Sequence, residues 1–118
     1  MTTGYFVQES AGKVVKAAYL SDYAYLQGGW GETIIDAFSR SEEQNLLDRL
    51  FQECPVPEFK HIQPEWYRKT KQSEDDDLYP AYAYVLRENA LSVYYYGRFL
   101  FRVTKETAEV WLRVIQNR

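Results

Sequence analysis

The stretch from residue 81 to residue 103 constrains this chain most. Residues 81–86, 90–96 and 99–103 read as three strands, rich in aromatic and β-branched side chains. Arg87, Glu88 and Asn89 separate the first two, and Gly97-Arg98 joins the last two. A two-residue loop with glycine first suits a type II′ turn. With that loop, Tyr96 faces Phe99 and Tyr94 faces Phe101 on one side of the sheet. Val93, Tyr95 and Leu100 then lie on the other side. Both faces of the hairpin are therefore apolar or aromatic, and each needs a cover.

The chain has eleven tyrosines, six phenylalanines and three tryptophans in 118 residues, more aromatic surface than a core of this size hides. Tyrosine offers a rigid area with a polar tip, the profile of a contact residue. Tyr82, Tyr84, Tyr94, Tyr95, Tyr96, Phe99 and Phe101 are thus expected to meet a protein partner or a second copy of the chain. In the competing reading residues 53–80 fold over the second face, with Phe59, Trp66 and Tyr67 packed there.

The remaining elements suggest an α+β fold: an antiparallel sheet of about five strands with about three helices mainly on one face. Residues 5–9 and 14–20 read as a hairpin around Ser10-Ala11-Gly12-Lys13. Residues 32–38 place Ile34, Ile35 and Phe38 on one helical face. A second helix is expected over 41–51, with Ser41-Glu42-Glu43-Gln44 as a capping box and Leu46, Leu47, Leu50 and Phe51 as its apolar face. Thr104 is expected to cap a last helix, with Ala108, Trp111, Leu112 and Ile115 on its buried side. Residues 1–118 read as one domain, with 53–80 a long connection containing a short helix over 65–71.

Several activities fit poorly. The net charge of −3 lacks the basic surplus of a general nucleic-acid binder. Lys60, His61, Arg68, Lys69 and Lys71 surround Trp66 and Tyr67, but Glu74-Asp75-Asp76-Asp77 follows and opposes a phosphate backbone. That acidic run lacks the spaced ligands of a calcium loop, and a single histidine offers no metal cluster. Cys54 and His61 lie close in sequence within a proline-rich stretch, a poor frame for a nucleophile and its base, so no enzyme is expected. One cysteine forms no internal disulfide. No signal peptide is visible and no apolar run approaches the ~20 residues of a spanning helix, so a cytoplasmic protein with no membrane partner is expected. No cofactor is implied.

The alternative site is Gln27-Gly28-Gly29-Trp30-Gly31-Glu32-Thr33, where a glycine-rich loop enters a helix. Gly28, Gly29, Trp30 and Gly31, with Arg98 or Arg102 nearby, could line a small-molecule or nucleotide pocket. The loop lacks the Gly-Lys-Ser/Thr ending of a P-loop and the spacing of a dinucleotide fingerprint, and Glu32 would repel a phosphate. Otherwise it is a tight reversal.

Residues 17–38 resemble a family of small uncharacterised bacterial and phage-associated proteins. The resemblance rests on Tyr19-Leu20-Ser21-Asp22-Tyr23, then Gly29-Trp30-Gly31-Glu32-Thr33-Ile34-Ile35. The tyrosine-rich hairpin fits the same layout, whereas the histidine-tryptophan pair of that family is missing. The resemblance implies no activity and no site residue.

Overall fold

A computed structural model describes residues 2–53 and 81–117. The elements are β1 (Gly4–Ser10), β2 (Lys13–Leu20), α1 (Trp30–Ser39), α2 (Glu43–Glu53), β3 (Tyr82–Arg87), β4 (Ala90–Tyr95), β5 (Arg98–Thr104) and α3 (Ala108–Gln116). The fold is α+β, with five strands in the order β2-β1-β3-β4-β5. The sheet is mixed where an antiparallel one was expected. β1 and β3 run parallel, from Gly4 opposite Tyr82 to Glu9 opposite Arg87. The chain leaves β2 at one edge and comes back beside β1, on the side that β2 does not occupy. Hairpin patterns in the sequence carry no signal for such a long-range pairing.

The registers sort side chains between the two faces. Phe6, Ala18, Leu20, Tyr84, Leu86, Leu91, Val93 and Val103 share a core with Ile34, Ile35 and Phe38 of α1, Leu46, Leu47 and Leu50 of α2, and Ala108 and Ile115 of α3. The helical periodicities expected from the sequence therefore point inward. Full burial of each large aliphatic or aromatic side chain contributes about 2 kcal/mol.

The opposite face carries Val7, Ala17, Ala83, Val85 and Tyr94, with Tyr5 and Val14 packed against them. Val7 and Val85 have no exposed surface, so the centre of this face is already closed within the single chain. It also buries Glu9. Arg87 Nε and Nη2 donate to Glu9 Oε1 and Oε2 at 3.0 and 3.1 Å, and Nη2 also reaches the Tyr94 hydroxyl at 3.4 Å. These hydrogen bonds raise the Arg87 guanidinium above its ordinary value. Such a pair satisfies a carboxylate that could not otherwise be buried. The expected packing of Phe59, Trp66 and Tyr67, the helix over 65–71, the Cys54–His61 pair and both charge blocks lie outside the described residues.

Three local expectations need correction. Tyr96 (φ +49) and Gly97 (φ +81) form the loop between β4 and β5, replacing the expected Gly97-Arg98. Positive φ at both positions is the type I′ pattern, whose twist matches the flanking strands. Tyr95 consequently pairs with Arg98 and Tyr94 with Phe99, and an irregularity between Val93 and Tyr94 brings Val93 opposite Phe101. Tyr94 thus meets Phe99 where Phe101 was expected, a shift of two residues in its partner.

Ser41 does not cap α2. At φ +58 it ends α1, with Ser41 N–H donating to Phe38 O at 3.2 Å and Glu42 N–H to Ala37 O at 2.8 Å. This is a Schellman closure with serine in the place usually held by glycine. Thr104 lies at the end of β5, and α3 starts after Thr107, whose hydroxyl accepts from Thr104 N–H at 2.9 Å.

Candidate functional site

Two regions were singled out by sequence. In the glycine-rich loop, Gly29 precedes α1 in an extended conformation and Gly28 takes a φ of +75. Trp30 N–H donates to Tyr23 O at 2.7 Å and Gly31 N–H donates to Tyr25 O at 2.9 Å. Gly28 N–H is held by Glu32 Oε1 at 3.2 Å. Donors that would greet an anion at a helix N-terminus thus face the chain's own carbonyls and a carboxylate. Gly31 is buried, and a Cβ there would lie 2.5 Å from Leu26 Cα and 2.7 Å from the Tyr84 hydroxyl. Its role is close packing of the loop on the sheet. Tyr23, Gly28, Gly29, Trp30 and Thr33 line an open depression of about 270 Å³. Arg98 and Arg102 are not among its lining residues.

The tyrosine-rich region divides into core and surface. Tyr84 is fully buried and donates to Ala24 O at 2.6 Å. Burial pushes its phenol strongly up, with neighbouring Tyr82 adding to the shift. Tyr94 is buried on the opposite face. These two residues are therefore structural, against the expectation that they meet a partner. Phe101 is half-buried and stacks on Trp111, with ring centroids 4.2 Å apart at 14°.

The rest gather at one end of the sheet, where β3 begins, β4 ends and the loop before α1 passes. Tyr82 lies 4.9 Å from Tyr95, and Tyr95 lies 4.7 Å from Tyr96. Desolvation raises the Tyr82 phenol, Tyr95, Tyr96 and Tyr25 raise it further, and a hydrogen bond to the Leu26 backbone pulls the other way. Four phenols thus converge from three parts of the chain. Tyr95 and Tyr25 are exposed. Beyond the turn the surface continues through Phe99, 52% exposed, and Leu100. Phe99 also meets Tyr94 edge-on, with centroids 5.7 Å apart. Because the pleat separates them, Tyr95 and Phe99 belong to opposite faces and share only the sheet's end and edge.

Beside this end runs a groove of about 370 Å³, between β5, α3 and the loop at Leu26 and Gln27. Tyr82, Leu100, Phe101, Trp111, Val114 and Ile115 supply its apolar walls. Sequence reasoning missed Tyr25 and the outward valines of α3. Val110 and Val114 were legible as apolar residues four apart, off the stripe formed by Ala108, Trp111, Leu112 and Ile115. Tyr25 carried no local signal.

Among the described residues no group of histidine, cysteine, aspartate and glutamate could hold a metal, and no helix is long and apolar enough to cross a membrane. Comparison with protein-family models, with curated proteins and with solved structures finds no match.

Proposed function

We propose that the protein is a non-catalytic binding module whose tyrosine-bearing sheet end engages another protein. One observation carries this reading: Tyr82, Tyr95 and Tyr96 pack ring to ring at 4.9 and 4.7 Å at the sheet's end, whose edge also bears exposed Phe99 and Leu100. Aromatic side chains with polar tips dominate the energetics of protein interfaces. Exposed aromatic and apolar side chains gathered at one end of a sheet mark a contact surface. Self-association through the same end is the other form of this reading.

Selection of binders from a displayed random-peptide library tests it, combined with sedimentation across concentration. Selected binders, or a dimer, are expected to lose about tenfold or more in affinity on Tyr95→Ser or Phe99→Ser. Both positions are exposed, so the melting temperature should stay near that of the wild type. A strict monomer that selects no binder, or binders indifferent to both substitutions, would sink the reading.

A further inference from the structure

The two edges of the sheet differ. At the β2 edge, Lys13 and Lys16 lie along the strand, the pairing slips between Gln8 and Glu9, and Lys16 is tied to Asp48 of α2 at 2.5 Å. Charges and bulges of this kind discourage added strands. At the β5 edge no described element lies beyond the strand. Arg98 and Arg102 stand there exposed, and among the described residues neither is in an ion pair. Between them are exposed Phe99 and Leu100 and half-buried Phe101.

α3 extends this edge sideways. Val110, 53% exposed, and Val114 face outward one helical turn apart, and Val114 shares the groove with Leu100, Phe101 and Trp111. A strand laid along β5 would place alternate side chains over that groove and over the valines. The side chains between would point to the other face, where Arg102 stands opposite Ser92, while Arg98, opposite Tyr95, stands on the groove's face at the far end of the strand. The irregularity near Leu100 shortens the usable edge, so backbone pairing alone is insufficient and an apolar side chain in the groove must fix the register.

A second copy fits this edge poorly. Antiparallel two-fold pairing centred on Leu100 gathers four arginines, Arg98 and Arg102 of each copy, along one seam, and β5 carries no carboxylate to offset them. The same two cations favour carboxylates.

Resting on the binding-module reading above, we propose that β5 accepts an extended segment of another protein, in which apolar side chains alternate with acidic ones. The probe is a blocked, fluorescent peptide of about eight residues, alternating glutamate with valine and tyrosine. It is titrated against the full chain by anisotropy. Binding should weaken with salt, and by about tenfold on the double exchange Arg98→Glu and Arg102→Glu. It should vanish when the peptide amides along one edge are N-methylated, and persist when those along the other edge are. Exchanging every glutamate for lysine should abolish it in the wild type and restore it in the double variant.

The proposal is overturned by no binding of the acidic peptide, by equal binding of the lysine peptide, or by indifference to N-methylation. If one of these occurs while library-selected binders still depend on Tyr95, strand addition is wrong and the binding-module reading stands. If no selected binder exists either, both fall. A dimer abolished by Phe99→Ser that excludes the peptide would make a second copy the occupant and also overturn the proposal.

Discussion

Ser41 shows how a single residue is overruled by its surroundings. Its hydroxyl fits the capping pattern, yet the chain holds it at φ +58 to close α1. A non-glycine residue there costs about 1 kcal/mol or more. Ser41→Gly should therefore stabilise the protein by about 0.5–1 kcal/mol, visible as a higher urea midpoint with an unchanged slope. Tyr84 is the opposite case. The tyrosine was legible, but its burial and its hydrogen bond to Ala24 O depend on residues far away in sequence. Tyr84→Phe should cost about 1–2 kcal/mol by leaving that carbonyl without its donor.

At the scale of elements, the helices were the most readable part. Their buried stripes follow from spacings of three and four, which are local quantities. The strands were readable in outline, but their registers were not. Moving one loop residue converts Gly97-Arg98 into Tyr96-Gly97 and changes which aromatic pairs with which. The Glu9–Arg87 pair joins β1 to β3 across their parallel register and was invisible for the same reason. Glu9 has a fully buried side chain, while Arg87 is about a third exposed. Arg87→Leu should destabilise by about 2–3 kcal/mol, and Arg87→Lys by less, because only arginine offers the bidentate fork. Chemical denaturation of both variants checks this order.

For the whole molecule, the buried phenols set an alkaline limit. Tyr84, Tyr82 and Tyr5 are all raised above the value of 10.0 that each would have unfolded, chiefly by burial. Above that pH the unfolded chain releases protons that the folded chain keeps. Their contribution is thus complete below about pH 10 and is lost progressively as pH rises beyond it. Unfolding free energy, measured over about pH 8–11.5, should be flat with respect to these groups up to about pH 10 and fall beyond it. The fall should be shallower in Tyr84→Phe. A decline starting well below pH 10 and carried by tyrosine absorbance would contradict this assignment.

The amino-acid sequence by itself determined the α+β class, the positions of the helices and five strands, and the excess of aromatic side chains. All of these follow from composition, periodicity and turn residues within short windows. Tertiary structure decided which tyrosines are core and which are surface. Tyr84 and Tyr94 are buried, whereas Tyr95 is exposed beside Tyr82 and Tyr96. That division follows from the parallel insertion of β3 beside β1 and from a loop shifted by one residue. Both are choices between pairings of nearly equal local preference, and burial of the whole core settles them.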